Sequence, residues 1–295
     1  MYIDIIFFAI FISQIILISY YYPKKNYDRN IHVLRTYPAS EYPKLYQHSP
    51  YADPAKALHK TIRRNFALSI AIAVFGLSLM LAMVISGYAP SGIKENKHIA
   101  FVMLFSMLQA LPYIFLEITT YNWYKAMRRA AKGSTRKAEL SPRKLFDFIS
   151  PVYVAVAVLA FFVWLVYYLY NKGFSAPWDW QTSATVLIMT GMNLLLIGLG
   201  YKLLRGTKPD PHQAYKDQRQ LIKTMIRVYV FTSIMMSTQL VVFDMINLNG
   251  WDKFEPVALS IYFQIIIVFG IGEVLRKFKI ENVNFDVYKE EPRLA

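Results

Sequence analysis

Cysteine is absent from this chain of 295 residues. Without cysteine the protein has no disulfide, no thiolate metal site and no cysteine nucleophile. The motifs GxxxxGK[ST], GxSxG and HExxH are also missing, which removes the commonest phosphate-binding, hydrolase and zinc-protease classes. All five histidines lie outside the apolar segments, so a haem or a histidine-ligated metal inside a helix bundle is not expected. The sequence therefore predicts no cofactor and contains no motif for catalysis.

Apolar residues are abundant instead, at 55% of the chain with 16% aromatic residues. Spanning the hydrocarbon core of a bilayer takes about 20 largely apolar residues. Seven segments meet this requirement: 3–22, 66–88, 99–121, 151–170, 183–201, 228–248 and 257–275. They predict an all-α polytopic membrane protein, a seven-transmembrane-helix bundle that forms a single membrane domain over residues 1–295.

Positive charge is unevenly distributed between the two sides of these segments. Of the 33 Lys and Arg residues, 29 lie in the segments 23–65, 122–150, 202–227 and 276–295. Cytoplasmic loops carry such an excess, so we expect these segments inside, the C-terminus inside and the N-terminus outside. The charge is spread over every cytoplasmic segment, which disfavours nucleic acid as a partner. Anionic lipid at the cytoplasmic face is the expected partner, at about 1 kcal/mol per well-placed cation.

Helix-start signals precede each return from the cytoplasm. The pairs are Asp53–Pro54, Ser141–Pro142 and Asp210–Pro211. An N-cap residue followed by proline is typical of a helix start, so we expect helices 2, 4 and 6 to begin as amphipathic extensions. The pattern is compatible with one helix followed by three related hairpins. Any basic, capped hairpin would look the same, and this alternative stays open.

Polar side chains inside the apolar segments are costly and mark candidate functional positions. We call the following set the candidate polar path: Gln109, Glu117, Asn193, Gln239, Asp244, Gln264 and Glu273. Spacings of four residues place Gln109 and Glu117 on one helix face. The amides would coordinate a solute or ion, and the two glutamates would form a cytoplasmic mouth or proton relay. The structural alternative is that amides bond across helices and that the acids pair locally.

Three classes of function follow from these features. The first, which the candidate polar path favours over the others, is a transporter or channel for a small solute or ion, and it requires a polar cavity along the path. The second is a non-catalytic scaffold or regulatory subunit. It would dock a cytoplasmic protein on the Tyr/Pro-rich segment 37–46, expected to be extended, and on the helices that begin at the Asp-Pro and Ser-Pro pairs. The third is a lipid-acting enzyme, which would need acids or histidines clustered at the interface. A multi-pass protein of a bacterial inner membrane is the expected location.

The helix count and orientation resemble those of retinal proteins and G-protein-coupled receptors. The seventh segment has no lysine for a retinal Schiff base and no Asn-Pro-x-x-Tyr pattern. The resemblance is therefore one of helix number alone, which does not assign a family or a function.

Overall fold

Helices make up most of the computed structural model, which describes residues 2–46, 53–88, 97–131, 143–174, 177–206 and 208–290. No strand occurs within these ranges, and seven helices there are long and apolar enough to cross a membrane. They are α1 Tyr2–Thr36, α2 Pro54–Ile85, α3 Lys97–Ala130, α4 Pro151–Asn171, α5 Trp180–Arg205, α6 Tyr215–Leu248 and α7 Asp252–Lys277. The prediction of a seven-helix membrane protein is confirmed.

Four of the helices are longer than a bilayer requires. α1, α2, α3 and α6 contain 35, 32, 34 and 34 residues. At about 1.5 Å per residue each is roughly 50 Å long, against a hydrocarbon core of about 30 Å. The expected loops 23–65, 122–150 and 202–227 are correspondingly shorter, because helix continues well beyond each apolar segment. These extensions carry many of the basic residues.

The helix-start signals have different outcomes. Asp53 caps α2, since its Oδ1 accepts the N–H of Lys56 at 2.9 Å. The pair Ser141–Pro142 lies outside the described residues, and α4 begins at the later pair Ser150–Pro151, so it lacks the expected extension. The Asp210–Pro211 prediction is wrong, because α6 begins at Tyr215. The Asp210 carboxylate has tertiary partners instead, described below.

The chain packs as two compact units, and the expected single membrane domain stays a prediction. Unit 1 contains Met1–Ala138, Lys208–Gln220 and Leu275–Ala295; unit 2 contains Glu139–Thr207 and Leu221–Val274. In unit 1, α2 packs against both α1 and α3. Gly76 of α2 permits this close approach. A Cβ atom at Gly76 would overlap the ring of Phe105 and lie 3.0 Å from Cδ1 of Ile15.

Unit 2 has its own apolar core. Trp164 of α4 is completely buried and packs with Tyr168 and Met189. Met236 and Leu240 of α6 complete the surroundings of this group. The indole and the neighbouring side chains therefore join α4, α5 and α6 into one packed group.

Candidate functional site

Gln109, the first residue of the candidate polar path, belongs to a buried hydrogen-bonded cluster in unit 1. We call Gln14, Ser19, Ser106 and Gln109 the amide cluster. Gln14 Nε2 donates to Gln109 Oε1 at 2.7 Å and to Ser106 Oγ at 2.9 Å. Gln109 Nε2 donates to Ser19 Oγ at 2.9 Å. The two amides are 0% and 1% exposed, so the cluster joins α1 to α3 within a packed interior.

A π-helical segment, Ile16–Tyr21, lies beside this cluster and shapes it. In such a turn the N–H of Tyr22 reaches the carbonyl of Leu17, five residues back. The carbonyl of Ile18 would next pair with residue 23, but Pro23 has no N–H. The hydroxyl of Tyr113 supplies the missing donor at 2.7 Å. The sequence signal for this arrangement is Pro23 inside a continuing helix, which the pattern of apolar runs does not reveal.

Glu117 lies outside the amide cluster although it shares a helix with Gln109. Its side chain is exposed on α3. Unit 1 has a small notch beside Leu116, the neighbour of Glu117 in sequence. The notch is lined by residues of α1, α2 and α3: Pro23, Asn26, Tyr27, Asn30, Ile62, Asn65, Phe66, Ser69, Pro112, Tyr113 and Leu116. The space in which a water molecule could be centred there is about 20 Å³. That is room for about one water molecule, not for a larger solute.

The other five residues of the candidate polar path belong to unit 2. Asn193 of α5 accepts a short hydrogen bond of 2.5 Å from Ser233 Oγ of α6, and its own Nδ2 donates to the Met189 carbonyl at 3.0 Å. Ser237, one turn further along α6, is fully buried. This polar seam between α5 and α6 is therefore internally bonded.

Two side chains of α6 keep buried polar atoms without partners among the described residues. They are Gln239, at Nε2, and Asp244, at Oδ2. Buried polar atoms are nearly always hydrogen-bonded, so each such atom requires an explanation such as water, an ion or a functional role. Within the candidate polar path, Gln239 and Asp244 are therefore the residues whose buried polar atoms lack a hydrogen-bond partner among the described residues.

The last two path residues lie on α7. Gln264 is half-buried in the regular helix, and Glu273 is half-buried directly after a second π-helical segment, Val268–Gly272. The structure thus brings Gln109 together with Gln14, Ser19 and Ser106 and leaves Glu117 exposed. The path as a whole stays a prediction.

Unit 1 also contains an aromatic layer, which we define as residues 37–46, 123–128, 209–218 and 280–288. The Tyr/Pro-rich segment is not extended as expected. The N–H groups of Glu41 and Tyr42 both donate to the Pro38 carbonyl, and Pro43–Tyr46 forms a helical turn. The hydroxyl of Tyr46 donates back to the Tyr37 carbonyl at 2.7 Å. The segment is a compact turn because these hydrogen bonds, which involve Pro38, Tyr42 and Tyr46, join its two ends.

The C-terminal segment packs onto this turn. Tyr42, Met127 and Tyr288 form a buried group in which Met127 is 1% exposed. Phe285 stacks on Tyr37 with ring centroids 3.7 Å apart. Rings from two distant parts of the sequence therefore enclose the end of α3.

Polar contacts fasten the same layer. The hydroxyl of Tyr288 donates to Asp210 Oδ2 at 2.5 Å, and the N–H of His212 donates to Asp210 Oδ1 at 2.9 Å. Asp217 accepts the N–H of Asn284 at 3.0 Å. Burial and the adjacent Asp210 carboxylate raise the pKa of the Tyr288 hydroxyl above its usual range. Burial lowers the pKa of the His212 imidazole.

No family model, curated protein or solved structure matches this chain. Among the described residues, no group of three or more His, Cys, Asp or Glu side chains could hold a metal ion.

Proposed function

We propose that this membrane protein is a platform that docks an acidic cytoplasmic protein on its aromatic layer. The observation that carries this proposal is the packing of the layer itself. Segments 37–46, 209–218 and 280–288 are drawn together through buried contacts such as Tyr288–Asp210. Ordering a chain segment costs about 1–2 kcal/mol per residue, so a preformed surface outside the apolar spans is consistent with a binding role.

Cations at the rim of the layer support the acidic character of the partner, and the exposed acids Glu41, Glu281 and Asp286 lie within the layer itself. Exposed cations flank the layer at Lys125, Arg129, Arg219, Lys277 and Lys279. Complementary charge accelerates encounter and selects among partners. By the positive-inside rule this surface faces the cytoplasm of the proposed bacterial inner membrane.

Photo-crosslinking tests the platform proposal. p-Benzoylphenylalanine is placed at Ser40, exposed in the layer, and at Asn249, exposed at the opposite end of α6. We expect one acidic protein to be crosslinked from position 40 and not from position 249. Tyr288→Ala should abolish that adduct while the amount of protein in the membrane is unchanged. Absence of an adduct at position 40, an equal adduct at position 249, or insensitivity to Tyr288→Ala would each contradict the proposal.

Solute or ion passage through unit 2 is the second candidate function. The unfilled polar atoms of Gln239 and Asp244 favour it, because a passing ion or water chain would satisfy them. Flux of ions and protons into proteoliposomes would be compared among the wild type, Asp244→Asn and Glu117→Gln. Flux that is lost in Asp244→Asn and kept in Glu117→Gln, an exposed residue of unit 1, supports passage through unit 2. Flux that persists at the full rate in both variants removes the two acids from any relay.

A further inference from the structure

A pair of stacked rings fixes the relation between α1 and α2. Tyr27 and Phe66 stack with ring centroids 4.8 Å apart and an interplanar angle of 25°. The helices are consecutive spans and pack against each other, so they run in opposite directions. Phe66 begins the second apolar segment, and Tyr27 lies shortly after the end of the first. The two rings therefore lie at one depth, near the cytoplasmic headgroups.

Helix geometry turns two cations to the same side of this pair. At about 100° per residue, Lys24 lies about 60° around α1 from Tyr27, and Arg63 lies about 60° around α2 from Phe66. Because the helices are antiparallel, equal rotations along the two chains point to the same side. Both cations are exposed, whereas Ile62, rotated the other way, is buried toward the notch and α3.

The same side of the pair carries a third cation. Lys60 lies about one turn before Arg63 on α2 and is exposed. Lys24, Lys60 and Arg63, which we call the α1/α2 basic face, form no ion pair with a carboxylate in the described part of the chain. Asp28 is an exposed acid on this side. At about 1.5 Å per residue, Lys24 lies about 5 Å from the stacked rings toward the membrane and Arg63 about 5 Å from them toward the cytoplasm. The two side chains therefore start about 9 Å apart in depth and approach a headgroup between them from the two sides.

We propose that the α1/α2 basic face binds the headgroup of an anionic phospholipid from the cytoplasmic leaflet. An arginine can hold a phosphate through two parallel hydrogen bonds, and lysines add compact charges around it. The cations lie on two helices locked by the Tyr27–Phe66 stack, so they form a shaped site rather than a set of mobile loop charges. This site is independent of the proposed docking function of the aromatic layer.

A matched pair of double variants tests the site. Lys24→Gln/Arg63→Gln removes two charges of the face. Lys25→Gln/Arg64→Gln removes the charge of the next residue on each helix. Lys25 and Arg64 are both exposed and lie at nearly the same depth as Lys24 and Arg63, but they are turned about 160° away from the stacked rings. Dioleoylphosphatidylglycerol is titrated into each purified protein in neutral detergent, and bound lipid is counted by native mass spectrometry. Dioleoylphosphatidylcholine is titrated in parallel.

We expect the first variant to lose at least about tenfold in affinity for phosphatidylglycerol, and the second to change by less than about threefold. Equal losses in the two variants would show only general attraction to positive charge and would overturn the proposal. Equal binding of the two lipids by the wild type would also overturn it, as would displacement of the lipid by inorganic phosphate at the same concentration. Crosslinking from Ser40 tests the docking function, and lipid titration tests the basic face. The failure of one proposal can therefore be distinguished from the failure of the other.

Discussion

The hydroxyl of Tyr288 and the carboxylate of Asp210 form a buried hydrogen bond of 2.5 Å between residues 78 positions apart in sequence. The bond ties the C-terminal segment to the residues just before α6. The same carboxylate also accepts the N–H of His212, so both of its oxygens are used. Loss of the tyrosine hydroxyl would leave a buried charge with one partner fewer.

Tyr288→Phe should therefore loosen the C-terminal segment while leaving the spanning helices intact. A hydrogen bond to a charged group contributes about 1.5–3 kcal/mol, and this is the expected loss in local stability. Hydrogen–deuterium exchange of residues 280–290 measures it, with Tyr153→Phe, an exposed site on α4, as the control. Unchanged exchange in the Tyr288 variant would mean that ring packing alone holds the segment.

High pH should weaken the same contact. The pKa of a phenol in an unfolded chain is about 10, and burial next to Asp210 raises the pKa of Tyr288 in the folded protein. A raised folded pKa means that its stabilising effect is complete below pH 10 and is lost as the pH rises further. Tyr124 and Asp217 also face the hydroxyl and act in the same direction.

Limited proteolysis of the C-terminal segment between pH 8 and pH 11 checks this dependence. Tyr46 lies in the same layer, and burial raises the pKa of its hydroxyl to about 12, so the wild type alone is not decisive. The difference between the wild type and Tyr288→Phe isolates the contribution of Tyr288. That difference should shrink as the pH rises, and a constant difference would contradict the assignment.

The sequence was sufficient to predict the seven spans and the start of α2 at Asp53–Pro54, but not the ends of most other helices. A run of about 20 apolar residues is visible without any tertiary information. The extension of α1 into the charged segment has no such run, and it packs on α2 through contacts such as the Tyr27–Phe66 stack. Hydropathy does not report such contacts.

The role of Gln109 could not be predicted for a related reason. An intramembrane amide has the same sequence signature whether it lines a cavity or bonds to another amide. The partner of Gln109 is Gln14 of α1, whose neighbour Ile15 packs beside Gly76 and Phe105, and this contact joins three separate helices. Asp210 is the converse case, since a local helix-start signature is overridden by the distant Tyr288.

Substitution of Gly76 by alanine should destabilise unit 1. The added methyl group would overlap Phe105, and overpacking of this kind costs about 1–3 kcal/mol. Gly191→Ala is the matched control, because no atom beyond the adjoining backbone of its own helix lies within 4 Å of a Cβ there. Thermal unfolding in detergent, followed by circular dichroism, should show a lowered midpoint for Gly76→Ala alone. Equal midpoints would imply that α2 and α3 separate to admit the methyl group.

The amide cluster should show energetic coupling. Gln14→Leu and Gln109→Leu each break the 2.7 Å hydrogen bond between the two side chains, and the double variant removes both polar groups. A double-mutant cycle of unfolding free energies should give a coupling of about 0.6 kcal/mol, with an upper range near 1.7 kcal/mol. Additive single effects would mean that the bond adds no stability in the membrane.

The absence of cysteine makes the predicted orientation directly measurable. Lys60→Cys lies on the exposed basic extension of α2, and Lys253→Cys lies exposed at the start of α7. With 29 of the 33 basic residues assigned to the cytoplasm, a membrane-impermeant maleimide should label position 253 in intact cells. Position 60 should react only after the membrane is permeabilised, and the cysteine-free parent should not react at all. Labelling of position 60 but not position 253 in intact cells would invert the topology, and would place the aromatic layer and the α1/α2 basic face outside.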